Sequence, residues 1–145
     1  MPDTTYIGVF LTPESRELLL STYPPKHKEI HADHMTIKFM PSRFEVENLA
    51  IGQKVKLKVI GYGWDQRVDA VLVHGVMSDN WFPHITLSVD REKKGKPSHS
   101  NDMFGGPGLS ALMPSVIERF EKPSLILDGV IDTLPRSTTQ QSKEI

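Results

Sequence analysis

The feature that most constrains this chain is a repeated two-residue alternation of apolar and polar side chains. It is cleanest in residues 53–60 (QKVKLKVI), where Val55, Leu57 and Val59 fall on one side and Lys54, Lys56 and Lys58 on the other. Period two belongs to a strand with one buried and one solvated face, which points to an antiparallel or mixed sheet. Residues 34–39 (HMTIKF) and 84–89 (HITLSV) alternate in the same way, and residues 6–11, 67–76 and 124–131 are apolar runs of strand length. A Gly-rich aromatic link through Tyr62, Gly63, Trp64 and Asp65 joins residues 53–60 to 67–76, so these two read as a hairpin or as closely connected strands.

Helical signals are fewer. Thr12 before Pro13 is a cap followed by proline at the first helical position, which predicts a helix over 13–21 with Leu18, Leu19 and Leu20 on its buried side. Pro24-Pro25 ends it. Leu109, Leu112, Val116, Ile117 and Phe120 have helical spacing and predict a second helix, begun or kinked at Pro114. Residues 41–52 read as a connection with one helical turn over 45–49, and residues 91–108, rich in Gly, Pro, Ser and Asn, as a long loop. The expectation is an α+β fold: a mixed sheet of about six strands with two main helices.

A length of 145 residues suits one domain, expected over 1–133, with residues 134–145 as a frayed tail. Seventeen Lys and Arg against 18 Asp and Glu leave a net charge of -1, so any anionic ligand must be held by a local site rather than a global field. The absence of cysteine excludes disulfides, thiolate metal sites and a cysteine nucleophile. The N-terminal sequence has no basic region followed by a long apolar stretch, and no run approaches the roughly 20 apolar residues of a membrane helix. A soluble, cytoplasmic protein without membrane partners is expected.

Two tetrapeptides repeat one arrangement: His34-Met35-Thr36-Ile37 and His84-Ile85-Thr86-Leu87. Side chains two apart share a strand face, so His34 projects with Thr36 and His84 with Thr86, while the apolar partners enter the core. If the strands are neighbours, two imidazoles and two hydroxyls converge. Such a patch suits a phosphate diester: two histidines can divide base and acid roles near neutral pH, and two hydroxyls can donate to the non-bridging oxygens. The two rings are then expected about 4–7 Å apart, flanking one phosphorus atom. A single His-x-Thr on a strand is ordinary; its duplication is the sharper signal.

The paired motifs HMTI and HITL resemble the two signatures of the 2H phosphoesterase superfamily. That resemblance implies a bilobal, duplicated ferredoxin-like α+β fold with a mixed or antiparallel sheet and a central cleft. It implies His34 and His84 as the catalytic pair and Thr36 and Thr86 as phosphate-binding residues. It further implies metal-independent chemistry, without a cofactor, on 2′,3′-cyclic phosphates, 2′-5′ linkages or RNA-type ends. HADHMTIKF around the first motif, and HITLSVD followed by Lys96-Pro97 and Ser100-Asn101, are similar to the RNA-repair branch that includes the phosphodiesterase module of fungal tRNA ligases. Small viral members that cleave cyclic oligonucleotide messengers are similar in size. The expected partner is an RNA end, a short oligoribonucleotide or a cyclic oligonucleotide, and a non-catalytic nucleotide-binding module is the other class.

Other residues carry weaker signals. Lys38 continues the face of His34 and Thr36, and Ser88 that of His84 and Thr86. Trp81 and Phe82 precede the second motif as candidates for base stacking, or for packing. Lys96, Ser100 and Asn101 are candidate pocket residues, and His99 could touch ligand. Arg91, Lys93, Lys94 and Lys96 form a basic segment that binds backbone phosphates or is simply solvated. His27, His31 and His34 fall at i, i+4 and i+7, which suits either a metal site or solvent-facing histidines, the latter preferred. His74 is expected to be a packed, hydrogen-bonded residue.

Overall fold

A computed structural model describes residues 6–42, 44–45, 50–76, 78, 82–96, 99–104 and 116–134. In chain order these form β1 (Tyr6–Leu11), α1 (Pro13–Thr22), β2 (Glu29–Ile30), β3 (His34–Phe39), β4 (Lys54–Trp64), β5 (Val68–His74), β6 (His84–Val89), a 3₁₀ turn (Arg91–Lys93), the short helix α2 (His99–Met103), β7 (Val116–Arg119) and β8 (Leu125–Leu134). Each alternating segment became a strand. Every pairing among them is antiparallel.

The pairings run β6-β3-β1-β8-β4-β5, and β5 pairs back onto β6, so six strands close into a barrel. The short β2 and β7 extend it beside β6 and β4. This overturns the bilobal, duplicated ferredoxin-like α+β expectation. Strands hold 49% of the described structure around a single helix of any length, and the sheet is one closed cylinder with no cleft between two lobes. The physical reason is closure: pairing β5 to β6 removes two open edges that helices would otherwise have to cover.

A six-stranded cylinder is narrow, so side chains fill it. Ile7, Val9, Met35, Leu57, Val59, Val71, Ile85, Leu87 and Leu127 are wholly buried within one core cluster. Each such aliphatic side chain contributes roughly 1.5–3 kcal/mol by leaving water. Lys54, Lys56 and Lys58 point outward, as their alternation requires. Thr12 caps α1 by accepting from Ser15 N–H at 3.2 Å, with Pro13 at the first turn. Leu19 alone of the three leucines is fully buried; Leu18 is exposed, because a helix lying on a barrel buries only a narrow stripe.

Further expectations fail locally. The C-terminal part of the expected 109–120 helix is β7, paired with β4 from Gly61 to Trp64, while residues 105–115 lie outside the described residues. Val116, Ile117 and Phe120 are spaced for a helix, and pairing with the edge of β4 made residues 116–119 a strand instead. Residues 91–104 are not all loop, since they hold the 3₁₀ turn and α2. His74 ends β5 as an exposed residue rather than a packed one. Leu134, the first residue of the expected 134–145 tail, pairs with Tyr6, and residues 135–145 lie outside the described residues. No helix among the described residues is long and apolar enough to cross a membrane.

Candidate active site on the outer barrel face

Met35 and Ile37 point into the barrel, so His34, Thr36 and Lys38 stand on its outer face. In β6, Ile85 and Leu87 point inward, leaving His84 and Thr86 outside. Antiparallel pairing of Met35 with Ile85 therefore sets His34 beside Thr86 and Thr36 beside His84. Each histidine stands across from the other motif's threonine. The two histidines are diagonal neighbours on one face, a relation that spans about 7–8 Å between adjacent antiparallel strands.

The strands on either side complete the patch. Phe10 pairs with His34 and Gly8 with Thr36; Leu72 pairs with His84 and Ala70 with Thr86. Gly8 is required for space, since a Cβ there would stand 2.7 Å from Met35 O. Tyr6 stacks on the His34 ring at 4.7 Å between centroids, and Phe10 lies 5.3 Å from it at a tilt. The signal for these two aromatics was present, because Tyr6, Gly8 and Phe10 alternate with Ile7 and Val9.

His84 is held differently. It is only 9% exposed. The ring of Phe104 lies 5.9 Å away, and Nδ1 is 2.7 Å from the Phe82 carbonyl. A carbonyl can only accept, so Nδ1 carries the proton and donates, and in the neutral ring Nε2 is left as the acceptor. Burial lowers the pKa of His84 below 6.5 and so favours the neutral ring, opposed by the bond to Phe82, which favours the protonated one.

α2 covers the neighbouring part of the face. Met103 and Phe104 pack with Val68, Ala70, Leu72 and Val89 into a second apolar cluster. They can approach because β4 offers Gly63, where a Cβ would stand 2.7 Å from the Phe104 ring. Ser100, wholly buried, lies 2.9 Å from the Thr86 hydroxyl. That fixes Thr86 Oγ1 through a partner 14 residues away. Nothing local in the sequence signals Phe104, because its position depends on α2 docking.

The remaining candidates are scattered. Lys38 forms a 2.7 Å ion pair with Glu45, whose carboxyl is pulled down to about 2 by Lys38 and by hydrogen bonds from Ser42. The Phe82 ring packs against the second cluster, with the Arg119 guanidinium 5.5 Å above it. Trp81 lies outside the described residues, and Asn101 sits within α2. Lys96 is exposed before α2, its N–H donating to His99 Nδ1 at 3.2 Å.

Ser88 is a correction. A register shift between Asp69 and Ala70 lets β6 slip, pairing Asp69 with Ser88 and Ala70 with Thr86. The bulge turns Ser88 to the inside of the barrel, away from Thr86. There it donates a short hydrogen bond to Asp69 and accepts His27 N–H at 3.0 Å. The wholly buried Asp69 also accepts from Lys26 N–H at 3.1 Å and Tyr62 Oη at 3.4 Å. Burial raises the Asp69 pKa, opposed by the Ser88 and Lys26 bonds, and burial beside Asp69 raises that of Tyr62.

The three spaced histidines go separate ways: His27 Nε2 lies 3.0 Å from Asp65 O, His31 pairs with Glu29, and His34 stacks with aromatics. Among the described residues no group of three or more His, Asp or Glu side chains is placed to hold a metal ion. No protein-family model matches the chain, and neither does any curated protein.

Proposed function

We propose that the chain is a metal-independent phosphodiesterase acting on ribonucleotide phosphodiesters, with 2′,3′-cyclic phosphate RNA ends the favoured substrate. The observation that carries this reading is the Met35–Ile85 pairing, which brings two His-x-Thr segments together on one face. Resemblance to the 2H phosphoesterases supports it through the motifs, not through the fold.

The environments divide the roles. His84, neutral and protonated on Nδ1, presents Nε2 as the general base. His34 is the general acid. In hydrolysis of a cyclic phosphate, Nε2 of His84 takes a proton from water as the water oxygen bonds to phosphorus. One ribose oxygen–phosphorus bond breaks, and protonated His34 gives its proton to the departing ribose oxygen. The product is a phosphate monoester beside a free hydroxyl. Thr36 and Thr86 donate to the non-bridging oxygens, where charge gathers in the transition state.

The test is a substrate panel: nucleoside 2′,3′-cyclic phosphates, RNA ending in a cyclic phosphate, 2′-5′ oligoadenylate, 3′,3′-cyclic dinucleotides and a deoxy diester, with products separated by chromatography. Opening of the cyclic ends, an untouched deoxy diester and a rate that survives EDTA are expected. Preference for cyclic dinucleotides over RNA ends would move the protein to the messenger-cleaving reading. Equal cleavage of deoxy and ribo diesters, or loss with EDTA and rescue by a divalent ion, would sink the scheme. The acidic limb of kcat/KM is expected below pH 6.5, because burial lowers the pKa of the base.

A further inference from the structure

Beyond the end of β6, the chain builds a second polar feature. Arg67, Arg91, Lys93, Lys94, Lys96 and His99 line an open cavity of about 560 Å³. The loop that supplies most of them is tightly built: Asp90 N–H donates to Arg67 O at 2.8 Å and Gly95 N–H to Asp90 O at 2.7 Å. Asp90 also caps the 3₁₀ turn, accepting from Glu92 and Lys93 N–H. These bonds hold the lysines on one rim.

The nearby acids do not neutralise that rim. Glu29 is engaged by Arg91 and His31, Asp65 by Arg67, and Glu92 by Lys28. Among the described residues, Lys93, Lys94 and Lys96 have no ion-pair partner. Arg67 adds an independent observation. Its side chain is only 14% exposed, and its Nε is a buried donor with no hydrogen-bond partner among the described residues. Three ammonium groups without an ion-pair partner, gathered with the Arg67 guanidinium around one cavity, call for an acceptor rich in oxygen.

The cavity adjoins the candidate active site through α2. His99 lines it, and the next residue, Ser100, holds the Thr86 hydroxyl. We infer that this cavity binds a second phosphate of the same ribonucleotide, adjoining the phosphate held between His34 and His84. The inference rests on the phosphodiesterase reading and deepens it: the preferred substrate carries at least two phosphates rather than one. Arg67, held by Asp65, adds its guanidinium charge to the cavity wall, and the lysines supply screened, non-directional attraction.

The test compares adenosine 2′,3′-cyclic phosphate, with one phosphate, against the diadenylate ending in the same cyclic phosphate, with two. In the Lys93→Gln/Lys94→Gln/Lys96→Gln variant, KM for the diadenylate should rise about 5- to 10-fold, while kcat/KM for the mononucleotide stays unchanged. Equal effects on both substrates, or on neither, overturn the subsite. A second measurement is independent of turnover: calorimetric binding of a 2′-O-methyl diadenylate 3′-phosphate, with the Arg67 Nε–H resonance followed by NMR. If the protein cleaves neither substrate but binds this probe, shifts that resonance and loses affinity in the triple variant, the phosphate site stands and the phosphodiesterase reading falls. Undetectable binding, or affinity indifferent to the three lysines, overturns the site itself.

Discussion

Two polar clusters flank one bulge in β6, and they differ in how completely their groups satisfy each other. Inside the barrel, Asp69 accepts from Ser88, Tyr62 and the Lys26 N–H, and Ser88 accepts the His27 N–H. That cluster ties the 26–27 segment to the barrel, and each of its hydrogen bonds ends on another protein group. Outside, among the described residues, His84 hydrogen-bonds through Nδ1 to Phe82, which leaves Nε2 the ring atom that can take a proton. Thr86 and Ser88, two residues apart, therefore lie on opposite faces, Ser88 within the inner cluster and Thr86 on the face proposed to hold phosphate. Polar groups that consume one another's hydrogen-bonding capacity hold a fold, whereas groups oriented by a neighbour yet retaining capacity can serve chemistry.

The largest expected effect tests the outer cluster. His34→Ala and His84→Gln should each lower turnover at least about 100-fold, because each removes a proton-transfer group. Circular dichroism and the thermal midpoint should change little, glutamine being chosen to fill most of the His84 site. A variant that keeps its rate would assign that histidine to packing and erase the contrast. Next comes the inner cluster. Asp69→Ala strips the acceptor from three groups and should cost about 2–3 kcal/mol in urea unfolding. Turnover per folded molecule should be unaltered, and a rate that falls further than the folded fraction would join the two regions.

The smallest effects draw the comparison most finely. Thr86→Ala should reduce turnover on the order of 10-fold through a lost phosphate contact, with little change in stability. Ser88→Ala should do the reverse, costing about 1 kcal/mol of stability at constant activity. Identical outcomes for the two residues would mean that the bulge does not separate structure from chemistry.

Much of this molecule is legible along the chain, because alternation is a local property. Met35, Ile37, Ile85 and Leu87 could be assigned to one face, and His34, Thr36, His84 and Thr86 to the other, without knowing any neighbour. The cap at Thr12 and the break at Pro24-Pro25 are local too. Expectations fail where a partner far along the chain intervenes, as β4 does for Val116 and Ile117. Ser88 is the sharpest case. Its position in HITLSV puts it on the His84 face, and only the shifted register against Asp69 turns it inward.

By itself, then, the sequence determined which side chains travel together: the spacing of two is set by backbone geometry and cannot be altered by anything distant. Tertiary structure decided which strands became neighbours, that the β5–β6 pairing closed them into a barrel instead of two lobes, and that α2 brought Ser100 to Thr86 and Phe104 to His84. Strand pairing is made of backbone hydrogen bonds that every residue except proline can form, so the order of strands is left to the packing of the whole core. The same holds for the cavity around Arg67, whose cations lie close together only because residue 67 hydrogen-bonds to residue 90 across the sheet.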